Sequence, residues 1–336
     1  MRYSEQAPLI IGHRGASGYR PEHSESAYRL AFELGSDLVE PDIVATLDGV
    51  LVVRHENEIS GTTDVAEHPE FADRRTTKTV DGESLTGWFT EDFTWAELST
   101  LRCRERLSGT RPGNRDYDGA EPLLRLRDVL VIVDEECARL DRPLGVVVEV
   151  KHARYFLDLG IDLGALLLDE LAATGWDARP ERLVVESFEL GVIDRLRDAG
   201  LPASYVFLME VPGGPADEPL PGAPSRDYGW YRGDAGLELL AGRVDGISVD
   251  KSLLVGDSGQ DLVGRAHERG LLVFTWTLRP ENRFLSRGRR TAGETAEWGD
   301  WAGEFGAVLR TGVDGIFVDH PDLGCSAREA LAAGGA

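Results

Sequence analysis

Cysteine is scarce in this chain. Only Cys103, Cys137 and Cys325 occur among 336 residues, and none forms a C-x-x-C pair. An odd, widely spaced set argues against a disulfide framework and against a cysteine zinc site, leaving free thiols of a reducing compartment as the expectation. Long apolar runs are also missing. No window reaches the roughly 18 apolar residues that a membrane helix needs, so no transmembrane segment is expected. The first residues, Met1 to Leu9, lack an apolar core and carry Glu5, unlike a secretory signal. The expectation is therefore a cytoplasmic protein. Basic residues are outnumbered, 36 Lys+Arg against 59 Asp+Glu, for a net charge of -23. That balance argues against a broad basic surface for nucleic acid and gives no general attraction to anionic membranes. An anionic substrate would have to be met locally, by a cation or a metal, because the global field repels it. Much of the excess acidity also reads simply as a solubility device.

Hydrophobic residues make up 42% and charged residues 28%, as in globular proteins. Short apolar runs alternate with amphipathic stretches. Extended segments are predicted at Leu9–His13, Asp37–Thr46, Val50–His55, Leu144–Lys151, Arg182–Glu189, Ala203–Met209, Gly246–Asp250, Leu271–Leu278 and Gly315–Asp319. Helices are predicted over Ser24–Leu34, Asp162–Thr174, Leu190–Ala199 and Asp257–Arg269, with a short one at the C-terminus; glycine follows each of the first four. Strands alternating with helices imply βαβ units and a parallel sheet. About eight such strands fit a closed (β/α)8 barrel, and the chain reads as one domain over 1–336. A faint repeat agrees: Val244-Asp-Gly-Ile-Ser-Val-Asp250 echoes Val313-Asp-Gly-Ile-Phe-Val-Asp319. Residues 60 to about 122 break the alternation. They read as an insertion after the second strand that caps one end, with the aromatic run Trp88–Trp95 as its own small core. Val211–Ser225 and Arg279–Trp298 read as two further long loops.

Candidate chemistry concentrates between residues 10 and 64. Glu40 and Asp42 are two apart in an extended segment, so both carboxylates share one face. Held that close, they need a cation between them or one must take a proton. Pro41 lacks an N–H and marks a strand end. Judged alone, the pair also reads as a solvated acidic strand end. Asp48-Gly49 is a hairpin signal. A two-residue loop there sets Leu47 against Val50 and brings His55 opposite Asp42; a longer loop would not. Otherwise His55 is a surface histidine. His13-Arg14 follows an apolar strand and precedes Gly15. The arginine can clamp a phosphate or carboxylate, and the histidine can transfer protons near neutrality. Glu149 and Lys151 repeat the two-residue spacing on the valine-rich strand, as a third oxygen ligand and an anion clamp, or as a simple ion pair. Three carboxylates suit calcium or magnesium better than zinc. Phe188 and Trp276 stand near strand ends, either lining a pocket mouth or filling core. By inventory this is a metal-assisted phosphoryl-transfer site, with one histidine accepting a proton and the other protonating the leaving alkoxide.

These residues resemble the opening signature of the glycerophosphodiester phosphodiesterase family. His13-Arg-Gly15, Pro21-Glu22, Gly35-x-Asp37-x-x-Glu40-x-Asp42, Thr46-x-Asp-Gly49 and Val53-x-His55 follow it in order. Glu149-x-Lys151, Ser187-Phe-Glu189, Trp276-Thr-Leu278 and Asp314-Gly-x-x-x-Asp319 resemble its later strands, and the Trp88-Phe-Thr-Glu-Asp-Phe-Thr run resembles the insertion of longer bacterial members. The resemblance implies a TIM barrel that hydrolyses a small glycerophosphodiester to an alcohol and sn-glycerol 3-phosphate. It implies a divalent metal, Ca2+ or Mg2+, at Glu40, Asp42 and Glu149, and acid–base histidines at His13 and His55. Arg14 and Lys151 would hold the phosphate, with Phe188 and Trp276 in the substrate-binding set. Three departures stand out: His23-Ser24 where the family usually has Asn-Thr, Glu56 after His55 where it has Asp, and Glu186 where a glutamine is common. Glu186 is expected to add negative charge near the mouth and disfavour anionic leaving groups. Two rival readings remain at this point, a lyase of the same fold that forms a cyclic phosphate from a (lyso)phospholipid, and a non-catalytic barrel that binds phosphodiesters.

Overall fold

The valine- and isoleucine-rich runs pair side by side in parallel until the last meets the first. The computed structural model describes residues 7–219, 224–255 and 257–334; the start of the chain and part of the Pro/Gly-rich run 211–225 lie outside them. Its strands are β1 (Leu9–His13), β2 (Leu38–Glu40), β3 (Asp42–Ala45), β4 (Leu51–Val53), β5 (Thr76–Val80), β6 (Glu83–Gly87), β7 (Gly145–Val150), β8 (Leu183–Ser187), β9 (Ser204–Met209), β10 (Gly246–Asp250), β11 (Leu272–Leu278) and β12 (Gly315–Val318). β7 to β12 pair in sequence, β12 pairs β1, β1 pairs β2, and β2 returns to β7. The barrel is closed, with eight parallel staves. β2 and β3 form one stave broken at Pro41, where Glu149 N donates to the Pro41 carbonyl at 3.0 Å.

A helix follows each stave. Glu25–Glu33, Leu163–Thr174, Leu190–Asp198 and Asp257–His267 match the sequence expectation to within a residue or two, and Pro321–Gly334 is longer than the short helix foreseen there. Ser24 caps the first, accepting from Ala27 N, while Ala27, Tyr28, Ala31 and Phe32 form its buried face. Three helices of eight residues or more had not been anticipated, Leu126–Leu140, Asp234–Ala241 and Trp301–Leu309, besides the shorter Trp95–Leu98, Ala153–Asp158 and Tyr228–Tyr231. The first two begin after Arg125 and Gly233, neither of which offers the Ser, Thr, Asp or Asn oxygen that marks a helix start in sequence.

Closure makes two cores. Inside the barrel, Ile11, Leu38, Val147, Val184, Val206, Phe274 and Phe317 pack together. Every stave but β10 contributes to that layer. β10 carries Gly246 and Ser248 at its inward positions, opposite Leu272 and Phe274, so small residues there leave room for the two phenylalanine rings. The larger core lies between staves and helices and runs on into the insertion through Phe71, Trp88 and Phe93.

The repeat seen in sequence has a structural basis at the barrel's base. Asp245 Oδ2 accepts from Tyr205 N at 2.8 Å and Asp314 Oδ2 from Val273 N at 2.7 Å. Asp37 does the same for Ile10 N at 2.9 Å. In each case a carboxylate just before one strand satisfies an amide near the start of its neighbour.

The hairpin at Asp48-Gly49 differs from the expectation. Ile43 pairs Val53, Val44 pairs Val52 and Ala45 pairs Leu51, and Thr46 N donates to Val50 O. The loop is therefore three residues, Leu47 to Gly49, with Gly49 in the left-handed conformation at φ 75°. This slips the register by one, so that Arg54, not His55, lies opposite Asp42, its N donating to Asp42 O at 3.0 Å. The two-residue hairpin is elsewhere, in the insertion. Val80 pairs Glu83, and Asp81 and Gly82 both have positive φ, 48° and 87°, the left-handed turn that an Asp-Gly pair favours. Short 3-10 turns and the helix Trp95–Leu98 complete the insertion.

Asp314→Ala strands the Val273 amide at the barrel base, where Asp314 also contacts His267 Nε2 at 2.9 Å. We expect a loss of about 1–3 kcal/mol in urea unfolding, with catalytic parameters unchanged.

Candidate active site

Side chains alternate along each strand, so the position two residues beyond each inner apolar residue faces the same interior one layer higher. Ile11 is followed by His13, Leu38 by Glu40, Val147 by Glu149 and then Lys151, Val184 by Glu186 and then Phe188, Phe274 by Trp276, and Phe317 by Asp319. The carboxyl ends of the staves thus exchange an apolar layer for a charged one. They open into a cavity of about 780 Å³ lined by His13, Arg14, Glu40, His55, Glu149, Lys151, Phe188 and Trp276. Asp42 lies behind this wall, fully buried.

Strand register brings the carboxylates together. His13 pairs Glu40, Asp42 pairs Glu149, and Glu149 pairs Glu186. One oxygen from each of Glu40, Asp42 and Glu149 lies within 4.8 Å of the others. Asp42 Oδ2 is 2.9 Å from His23 Nε2 and 3.3 Å from Arg14 Nε, whereas Oδ1 is buried without a partner among the described residues. Burial and the Asp42 charge push Glu40 well above the usual carboxylate range. Burial and neighbouring Asp42 raise Glu149 to about 8, against the pull of Lys151. Asp42 moves the other way against burial, beside His55, hydrogen-bonded to His23 and paired with Arg14. Like charges held this close oppose one another's ionisation. The three oxygen donors and the unpartnered Asp42 Oδ1 fit a hard divalent cation.

Each histidine of the sequence reading has Nδ1 against a carboxylate, hydrogen-bonded for His13 and in close ionic contact for His55. His13 Nδ1 is 2.7 Å from Asp319 Oδ1, and Asp319 Oδ2 accepts from Arg111 Nη2 and Arg279 Nε, both at 2.6 Å. Asp319 is therefore ionised, held there against burial by the two arginines, and His13 keeps its proton on Nδ1 and offers Nε2 to the cavity. His55 Nδ1 is 2.7 Å from Glu56 Oε1, and its Nε2 lies 3.3 Å from Lys151 Nζ. An ammonium only donates, so His55 Nε2 accepts and the ring proton faces Glu56. Burial and the Arg14 charge lower His13 to about 4. Burial, Arg14 and Lys151 lower His55 to about 3. Both rings are neutral at pH 7.

The cations are equally constrained. Arg14 donates to Glu22 at 3.1 Å, and its backbone N, in a left-handed residue at φ 57°, donates to Glu40 Oε2 at 2.8 Å. Lys151 pairs with Glu149 at 2.9 Å and stands 5.5 Å over the Phe188 ring. Phe188 meets Trp276 edge to face at 5.7 Å.

Two of the sequence departures acquire a place here. His23, fully buried at φ 60°, receives the Tyr28 hydroxyl proton at Nδ1 over 2.7 Å and donates through Nε2 to Asp42. Glu186 is not at the mouth. It is 2% exposed beside Glu149, and burial together with Glu149 and Asp42 holds its carboxyl well above the usual range. It lines the cavity from its inner wall, deeper than the mouth position expected.

Other groups of the site carried no role in the sequence reading. Asp319 ends the D-G-x-x-x-D motif, and its position at a strand end was the available signal. Arg111 comes from the insertion and bridges Glu281 and Asp319 at 2.7 and 2.6 Å, a contact across 208 positions that no local pattern marks. Arg106, also from the insertion, pairs with Glu22 at 2.9 Å.

His320, beside Asp319, has no partner for its buried Nδ1 among the described residues, and burial with the Arg111 charge lowers it to about 3. A depressed imidazole contributes stability that is complete above its unfolded value of 6.5 and is lost as pH falls through the folded value. His320→Gln should therefore flatten the fall in unfolding free energy between pH 6 and 4 by up to about 1.4 kcal/mol per pH unit. An unchanged slope in denaturant titrations would show that His320 is protonated in the fold.

Comparison with known proteins identifies the family. Residues 13–323 match the model of the glycerophosphoryl diester phosphodiesterase family. A glycerophosphodiester phosphodiesterase of Arabidopsis thaliana is 30% identical over 93% of this chain and 83% of its own. Among solved structures, a glycerophosphoryl diester phosphodiesterase fold from Silicibacter pomeroyi superposes with a TM-score of 0.66 at 20% identity, covering 97% of this chain and 94% of its own. A phosphodiesterase of Oleispira antarctica, in complex with the product sn-glycerol-3-phosphate, gives 0.63 at 18% identity, covering 97% of this chain and 99% of its own. With the family signature running through nearly all of the barrel, the chain belongs to the glycerophosphodiester phosphodiesterase family.

Proposed function

We propose that this protein hydrolyses glycerophosphodiesters, adding water across the phosphodiester to release an alcohol and sn-glycerol 3-phosphate. The observation that carries the reading is the pairing of functions at one cavity. His13 Nδ1 is hydrogen-bonded to Asp319 and His55 Nδ1 faces Glu56 at 2.7 Å, which leaves Nε2 as the working nitrogen of each, beside three acidic side chains that fit a cation. A module that only binds needs no second neutral imidazole.

A divalent cation held by Glu40, Asp42 and Glu149, Ca2+ or Mg2+ by the hardness of its oxygen donors, would draw negative charge from the phosphate when bound. Arg14 and Lys151 add positive charge beside the non-bridging oxygens. One histidine accepts a proton at Nε2 from the attacking water. The other returns a proton to the leaving alkoxide, having gained affinity for it from the incoming phosphodiester anion. Asp319 and Glu56 hold the two rings in the tautomer this requires. Phe188 and Trp276 form an apolar wall for the organic part of the substrate. All three cysteines are free, and among the described residues no helix is long and apolar enough to cross a membrane. Both facts are compatible with the cytoplasmic location we propose.

The decisive experiment is turnover on a panel of glycerophosphodiesters, in chelator and after adding back calcium or magnesium. Release of sn-glycerol 3-phosphate should stop in chelator and return with the metal. In ¹⁸O-labelled water one label should enter the phosphomonoester, whereas a cyclic product without solvent oxygen would point to the lyase. No turnover with any metal overturns the reading. His13→Ala and His55→Ala should each lower kcat by about 10²–10⁴-fold while product binding, measured by calorimetry, persists.

A further inference from the structure

The insertion reaches the site at a second place, through a contact that the reaction above does not use. Its hairpin is pinned at the base, where Lys78 Nζ lies 2.9 Å from Glu91 and 2.7 Å from Asp92. At the tip, Asp81 Oδ2 lies 2.5 Å from His152 Nδ1. His152 follows Lys151 directly, in a left-handed conformation at φ 52° that aims its ring back over the cavity. Its Nε2 lies 3.2 Å from Glu56 Oε2, and the other oxygen of Glu56 is the one that faces His55. Asp81, His152, Glu56 and His55 therefore form a continuous polar chain from the insertion to a working imidazole.

Chemistry fixes the protons along it. Carboxylates accept, so both His152 nitrogens donate and the ring is an imidazolium. Its environment agrees: against the effect of burial, Asp81 and Glu56 raise it to about 9. Glu56 then has one oxygen occupied by a charged donor and the other turned to His55 Nδ1. A half-exposed glutamate has many rotamers, and His152 selects the one that holds the His55 ring. Asp81 in turn selects the rotamer of His152.

We propose that His152 and Asp81 are positioning residues for His55, and that the seating of the insertion hairpin sets the orientation and tautomer of that imidazole. The inference rests on the reading of His55 as a proton-transfer group. Glu56 touches His55 itself; His152 and Asp81 act only through it.

Two substitutions suit the local backbone. Asp81→Gly keeps the left-handed turn and removes the carboxylate. His152→Asn tolerates positive φ and is too short to reach both partners. In histidine ring-nitrogen NMR, wild-type His55 should show a single Nδ1–H tautomer, and each variant a mixture. In turnover, His152→Asn should lower kcat about 10-fold, a fraction of the roughly 10²–10⁴-fold of a positioned acid–base group, with KM within about twofold. Asp81→Gly should do less. The double variant should match His152→Asn alone, because Asp81 works through His152; independent structural damage would add. An unchanged His55 tautomer in both variants, or additive losses, overturns the proposal. The spectra decide it even without turnover, and failure of the wild type on every substrate and metal would count against the phosphodiesterase reading instead.

Discussion

Carboxylates crowded together out of water are the constraint on which the rest depends. Barrel closure brings Glu40, Asp42 and Glu149 to one layer by register alone, with Glu186 beside them. Buried like charges oppose folding unless they are neutralised. The protein answers with cations, Arg14 against Asp42 and Glu22 and Lys151 against Glu149, and with the neutral His23 ring donating to Asp42. Asp319, across the cavity, is balanced separately by Arg111 and Arg279. What remains unmet, Asp42 Oδ1 above all, is the part a bound ion would satisfy.

The same logic explains the insertion. Its outer hairpin packs loosely, with most of its strand residues exposed. The insertion shares the barrel's outer core, and its ionic contacts with the site run through Arg106 on Glu22, Arg111 on Asp319 and Asp81 on His152. Each contact ends on a group that touches a site residue. The segment is therefore an outer wall of the site as well as a cover.

Sequence made the barrel legible because its signals are local. Valine-rich strands, glycine after helices and chemistry at strand ends repeat with a period that reads without a structure. The candidate residues were legible for the same reason: two-residue spacing placed Glu40 with Asp42 and Glu149 with Lys151. What escaped depends on longer geometry. A one-residue slip at Gly49 moved Arg54 into the place assigned to His55. Glu186 read as a mouth residue because sequence does not report depth. His23 read only as a departure from the family's asparagine, while its contact with Asp42 spans 19 positions. Asp81-Gly82 carried the same two-letter turn signal as Asp48-Gly49, but within a stretch of low hydrophobicity it stood out less.

Among the described residues five other than glycine have positive φ, and four of them, Arg14, His23, Asp81 and His152, belong to the site or its polar chain. Each such conformation stores on the order of 1–3 kcal/mol. Those positions are thereby set apart in any mutational scan. Selection for thermal tolerance would favour glycine or asparagine there, and would gain stability by dismantling the machinery. Selection for turnover would instead keep bulky polar side chains on a backbone that resists them. Heat resistance is therefore best sought in the outer helices, where relaxing the chain leaves the chemistry alone.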